Sequence, residues 1–342
     1  MSRALLVVFG FVALAVVAVL IAVPVLIQRN LSVEAVEARA SVLAGRPVSV
    51  ERVRIAFRPG LRIRAEGVVI EGGGAADAIE VELAVLPLLR RRVEPSELHL
   101  RGVRLAVERG PEGGLRLRLL HPPGRGAREG GGPLPALPAL EARDGEIFLV
   151  DVDGAAIDAP VLEILRFEQG PLATEGRAPV RLDVALSPGE GGGLGFERMR
   201  LEGFLERSGD AVRIHEGRVR GDALQWKGLR LQDLAGRFDY ADGRVGIDRL
   251  AFSGYEGEIS FAGSIRTQRP PRLEGRLGAQ GLDLSALVAD ARGSAPGLSL
   301  GPLDLDGQVA LILRATETGS GEATMTIQGG ELPAASLFTT LL

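Results

Sequence analysis

Cysteine is absent from the 342 residues, which removes disulfide frameworks, thiol nucleophiles and cysteine-ligated metal sites together. A cysteine-free chain tolerates oxidising and reducing surroundings equally, so its absence fixes no compartment. Lysine is almost missing too: Lys227 stands alone and arginine carries nearly all the positive charge. With 40 basic against 44 acidic residues the net charge is -4, so no strong field draws nucleic acid or an anionic surface, and nucleic-acid binding is disfavoured. Aromatic residues make up 4% of a chain that is 46% hydrophobic, so any core or groove is lined mainly by Leu, Val, Ile and Ala. Such a lining is smooth and unspecific.

Catalytic groupings are equally sparse. Of the three histidines, His99 and His215 sit in alternating segments and His121 abuts a Pro-Gly stretch, and no pair has metal-ligand spacing. Asp151-Val-Asp153-Gly154 has the start of a calcium loop, but positions five and twelve fall on Ala155 and Leu162. The glycines from Gly189 to Gly195 miss the dinucleotide spacing, because Leu194 stands where the last glycine belongs. Asp304 and Asp306 share one face of a strand and are read as solvated polar residues rather than a glycosidase pair. No catalytic residue, metal or cofactor is expected.

What is present begins with ALLVVFGFVALAVVAVLIAVPVLI, Ala4 to Ile27, about 24 uncharged residues and long enough to cross ~30 Å of hydrocarbon. It reads as a transmembrane helix rather than a cleaved signal, being too long for one and lacking a small-x-small site before Gln28. Arg3 on one side and Arg29, Arg39 and Arg46 on the other leave orientation open from charge alone. Ser32 then caps a short helix whose apolar positions Val33, Val36, Ala40 and Leu43 recur at helical spacing, ended by Gly45 and Pro47, and expected to plug one end of a sheet.

Beyond Pro47 the period becomes two, in LRIRAEGVVI (Leu61 to Ile70), LHLRGVRLAV (Leu98 to Val107), RVGIDRLAF (Arg244 to Phe252), EISFAGSI (Glu258 to Ile265) and others. Asp144-Gly145, Asp153-Gly154, Asp242-Gly243 and Asp306-Gly307 are read as tight-hairpin dipeptides, so antiparallel pairing is expected. Helical pieces are few, Leu284 to Ala291 and Ala335 to Leu342 being the clearest, so a parallel α/β sheet is excluded. Residues 1–30 are assigned to the anchor, 31–121 to a first β module, 122–139 to a Gly/Pro-rich linker and 140–342 to a longer β region. With one apolar face per strand and few helices, cover must come from a second sheet, from curling, or from an apolar ligand.

The order of these features resembles the AsmA-like envelope proteins. It is carried by Gly45-Arg46-Pro47-Val48 opening a strand and by Pro87-Leu88-Leu89 followed by basic residues. Further support comes from Leu98, Leu100 and Gly102 as a Leu-x-Leu-x-Gly motif, and from the Tyr255 to Gly257 turn within Leu234 to Ile265. Members commonly continue past a region like GEATMTIQGGELPAASLFTTLL, so a short or C-terminally incomplete member is expected. The resemblance implies a mostly β fold, an antiparallel curved sheet forming an elongated hydrophobic groove of the bridge-like lipid-transfer type. It also implies a single-pass inner-membrane protein with its β region in the periplasm, binding membrane phospholipid and contributing non-enzymatically to outer-membrane biogenesis. Expected lining residues are Leu98, Leu100, Leu105, Val107, Val245, Ile247, Phe252, Ile259, Phe261 and Ile265. The alternative is a scaffold for outer-membrane protein assembly, binding other envelope proteins through sheets packed on themselves. Lipid species, direction, energy source and oligomeric state are not written in these residues.

Overall fold

The computed structural model describes residues 33–44, 46–58, 60–71, 74–84, 87, 94–109, 115–117, 136–150, 162–173, 175–187, 194–208, 211–226, 228–266, 272–292, 302–315 and 321–328. The apolar segment Ala4 to Ile27 lies outside them, as do His121, Asp153-Gly154 and Ala335 to Leu342. Among the described residues no helix is long and apolar enough to cross a membrane. Strands dominate and helices are few, as the alternation requires. The chain divides into two compact units, one of residues 3–183 with 205–212, the other of 184–204 with 213–342.

In the first unit, helix α1 (Val33–Ala44) buries Val36 and Ala40, two positions of its apolar stripe. Its polar side faces the edge of strand β1 (Val48–Arg58): the Val48 N–H donates to Ser41 Oγ at 2.8 Å and the Val50 N–H to Glu37 Oε1 at 2.8 Å. Two edge amides that would otherwise invite another strand are thereby satisfied. β1 pairs antiparallel with β2 (Gly60–Ile70), β2 with β3 (Gly74–Leu83), and β3 with β4 (Pro95–Arg101) and the start of β5 (Arg104–Arg109). β6 (Leu115–Leu117) pairs with β5.

Uniform antiparallel pairing does not hold. β7 (Ala139–Val150) runs parallel to β4 through Glu97↔Ala139 and to β5 through Arg104↔Glu146. Parallel neighbours need a long crossover, and the chain between β6 and β7, which holds the Gly/Pro-rich stretch, supplies it. β8 (Leu162–Gln169) pairs antiparallel with β7, straight past Asp144-Gly145. That dipeptide is therefore no hairpin, although Asp144 does take the positive φ (56°) that its type favours.

A row of such residues crosses the unit. Gly67 (φ 62°), Gly102 (φ 60°) and Asp144 sit level with one another, and the pairing register is the same on both sides of the row. The buried set nevertheless changes phase there. On one side it is Ile63, Ile79, Val81, Leu98, Leu100, Leu140, Ala142 and Phe167; on the other it is Val50, Val68, Ile70, Ala76, Leu105 and Ile147. Because Cβ atoms alternate between faces along a strand, unchanged register with shifted phase means that the sheet packs on opposite faces at its two ends. The solvated faces swap in step: Arg54, Arg64, Glu80, His99 and Arg143 before the row, Arg104 and Glu146 after it, with Glu51 and Asp77 exposed in the row itself. Gly102 is required at its place, since a Cβ there would stand 2.0 Å from Asp77 Oδ2.

β9 (Glu175–Leu186) and β10 (Gly195–Ser208) follow in chain order. In the second unit β11 (Ala211–Trp226), β12 (Leu229–Ala241), β13 (Arg244–Gly254), β14 (Gly257–Arg266), β15 (Arg272–Asp283), β16 (Pro302–Ala315) and β17 (Gly321–Gln328) pair successively, all antiparallel. Asp242-Gly243 (φ 51° and 77°) makes the expected two-residue turn between β12 and β13. Asp306-Gly307 does not turn at all: it lies inside β16, with Leu277↔Gly307 in register. The tight turn between β13 and β14 is instead Tyr255-Glu256 (φ 51° and 62°), closed by Gly254↔Gly257.

Candidate functional site

Register alone assembles one face of the second unit. Val245↔Ile265↔Leu273, Leu250↔Phe261↔Leu277 and Phe252↔Ile259↔Ala279 are rows across β13, β14 and β15. Phe238 and Tyr240 of β12 join them opposite Ile247 and Val245. The six residues expected from this part of the sequence, Val245, Ile247, Phe252, Ile259, Phe261 and Ile265, thus share a face. Phe238, Leu250, Leu273 and Leu277 belong with them and were not singled out, although Leu234-x-Gly236-x-Phe238-x-Tyr240 and Leu273-x-Gly275-x-Leu277-x-Ala279 carry the same alternation with glycine in one place.

Those glycines shape the face. A Cβ at Gly263 or Gly275 would come within 3 Å of the Phe261 ring, and one at Gly217 equally close to the Phe238 ring. Each ring therefore reaches over a neighbouring strand's glycine and covers backbone there. Phe261, Ile247, Tyr240 and Ala279 are buried, at 7%, 9%, 6% and 4% exposure, while Phe238, Val245, Leu250, Ile265, Leu273 and Leu277 pack around them less completely buried. Complete burial of such a side chain is worth about 1.5 to 3 kcal/mol, so each leaves at most about 1 kcal/mol unrealised. The face gains from any apolar cover.

The other four expected residues sit differently. Leu98, Leu100, Leu105 and Val107 are packed at 0%, 2%, 1% and 7% exposure in the first unit, the first two on one side of the sheet and the last two on the other.

Polar groups have structural partners. Bulges in β11 and β15 leave a ladder amide over, and a carboxylate of the adjacent strand takes each: Glu216 N–H donates to Asp239 at 2.9 Å, Gly281 N–H to Asp304 at 2.8 Å. Asp306 receives both Nε (2.6 Å) and Nη2 of Arg276, and that guanidinium holds its carboxyl below the usual range. Asp304 and Asp306 are thus engaged separately. His99 lies between Glu141 (3.1 Å) and Glu97 (3.2 Å) on the solvated side of β4. Burial works against ionisation of Glu141, but Arg143 and His99 together outweigh it and lower its pKa.

Helix α2 (Leu284–Arg292) is capped by Asp283 Oδ1, which accepts from Ser285 N–H and Ala286 N–H. Tyr255 fastens it: the hydroxyl accepts Arg230 N–H at 2.9 Å and donates to Asp290 Oδ2 at 3.1 Å, while the Tyr255 carbonyl accepts Asp283 N–H at 2.8 Å. Desolvation, aided by Asp290, pushes the phenol pKa up. Among the described residues no group of three or more His, Asp or Glu is placed to hold a metal ion.

The fold and face define a mostly β protein with a one-sided, partly uncovered aliphatic surface. No protein-family profile matches the chain, and no curated protein or solved structure matches it significantly.

Proposed function

We propose that the protein is a non-enzymatic, AsmA-like envelope component, anchored in the inner membrane by Ala4 to Ile27 with its strands in the periplasm. It shields the acyl chains of phospholipid on the face built by β11 to β15 and moves lipid between envelope membranes. The observation that carries this reading is the incomplete burial of Phe238, Val245, Leu250, Phe252, Ile259, Ile265, Leu273 and Leu277 on a single face. Acyl chains need no directional partner, and a lining of this kind offers none.

Mass spectrometry of gently purified full-chain protein tests the reading, with stoichiometric phospholipid as the expected result. Ile259→Asp together with Ile265→Asp places two carboxylates on the face without opening a buried core. The pair is expected to lose the lipid while circular dichroism stays unchanged. Repeated preparations of the unaltered protein free of phospholipid would overturn the proposal.

A further inference from the structure

At one margin of this face three arginines stand abreast. Arg244 pairs in register with Arg266, and Arg266 with Arg272, at the ends of β13, β14 and β15. Like charges directly opposite one another destabilise a sheet, and two strand spacings place all three stems within about 10 Å. Their own partners are few. Arg272 Nε meets Glu274 Oε1 at 2.5 Å and Arg244 Nη2 donates to Ser264 Oγ at 3.1 Å. The Arg266 side chain has no hydrogen bond or ion pair among the described residues, and the turn beside the row contributes only Asp242.

We propose that Arg244, Arg266 and Arg272 bind the phosphate of a phospholipid whose chains lie on the apolar face, an assignment that rests on the acyl-shielding reading above. The row lies one residue along the strands from Val245–Ile265–Leu273, the outermost apolar row. Alternation sets it on the opposite face at the strand ends, where a long arginine stem keeps its head in water and reaches past the margin. Guanidinium forks match phosphate oxygens two at a time. A bound phosphate would remove the mutual repulsion that this row otherwise sustains. Neighbouring strands on a ~4.8 Å repeat let the arginines serve one headgroup jointly.

A charge-matched control exists in the same unit. Arg218, Arg237 and Arg249 form a second row across β11, β12 and β13, in mid-strand on the polar face, with Arg249 paired to Glu258 at 2.8 Å. Full-chain protein is incubated with phosphatidylglycerol vesicles or with diacylglycerol, which has equivalent chains and no phosphate, and retained lipid is measured by mass spectrometry. Arg244→Gln with Arg266→Gln is expected to lower phosphatidylglycerol retention about tenfold, roughly 1.4 kcal/mol, and to leave diacylglycerol retention unchanged. Arg218→Gln with Arg237→Gln is expected to change neither. Unaltered phosphatidylglycerol retention in the first variant, or an equal loss in the second, overturns the arginine assignment while leaving acyl shielding intact. Inorganic phosphate binding as tightly in the absence of lipid would make free phosphate the ligand and overturn the headgroup assignment. Failure of the unaltered protein to retain either lipid removes the shielding reading and this inference with it.

Discussion

The two units use the same alternation to opposite ends. In the first, Leu98, Leu100 and Leu105 have almost no exposure, and even the change of packing face at the Gly67–Gly102–Asp144 row leaves aliphatic residues covered on both sides of it. In the second, Tyr240, Ile247, Phe261 and Ala279 are buried, while Phe238, Val245, Leu250, Ile265, Leu273 and Leu277 on the same face are covered less completely. Identical residue types at identical spacing therefore serve stability in one place and remain available in the other. The difference lies in what covers the sheet, which no strand's own sequence specifies.

Truncation is the sharpest way to break that contrast. Leu98→Ala removes a fully buried side chain and is expected to cost about 2 to 5 kcal/mol, read from the midpoint and slope of urea unfolding. Ile259→Ala removes a similar side chain from the half-open face and is expected to cost roughly 1 kcal/mol or less. Equal losses at the two positions would mean that the second face is an ordinary core, and acyl shielding would fall with the contrast.

Gly102→Ala probes the row that divides the first unit. A residue with a Cβ at φ 60° is strained by roughly 1 to 2 kcal/mol, and the contact with Asp77 adds to that. Thermal unfolding should register the loss, and Asp77→Ala in the same chain should return only the contact's share. Complete rescue by that second change would show that the backbone there is not held left-handed.

Much of this was legible in advance. LRIRAEGVVI and LHLRGVRLAV announce strands, and the change of phase at the row is visible in both: Leu61, Ile63 and Ala65 are odd, Val68 and Ile70 even; Leu98 and Leu100 are even, Val103, Leu105 and Val107 odd. Strict alternation sets Leu98 and Leu105, seven residues apart, on opposite faces, and the unchanged register keeps them there, so a single lining that holds both does not form. Asp-Gly dipeptides are an uneven guide to both backbone conformation and topology. Asp144 adopts positive φ within a strand, Asp306-Gly307 adopts none, and a tight turn fell on Tyr255-Glu256, where hydrogen bonds from the rest of the unit support two non-glycine residues in a strained conformation. The parallel placement of β7 depends on contacts distant in sequence, so local pattern is silent on it.

That supported turn gives a smaller effect within the second unit. Tyr255→Phe removes the acceptor for Arg230 N–H and the donor to Asp290, a loss of about 1 kcal/mol. Amide exchange should quicken in residues 284–292 before anywhere in β13 or β14. The pH dependence has a definite sign. Folding holds the phenol neutral, so its contribution is complete below the unfolded-state pKa near 10 and is lost as pH rises through the higher folded value. Ultraviolet titration should show a late-ionising phenol component, and Tyr255→Phe should remove it.

The smallest expected effect returns to the first unit's solvated side. Glu141 joins β7 to β4 through His99 and is held by Arg143 at 2.6 Å, and its pKa is lowered. A carboxylate ionising more easily when folded contributes stability above its unfolded pKa, near 4.5, and loses it as pH falls through the folded value. Exposed pairs of this kind are worth about 0 to 1 kcal/mol, so Glu141→Gln should flatten the acid limb of the stability curve only slightly, far less than Leu98→Ala lowers the whole curve. A loss at pH 7 as large as that of the leucine would place the strength of the β4–β7 junction in its charges. The contrast between the units would then be one of electrostatics rather than of cover.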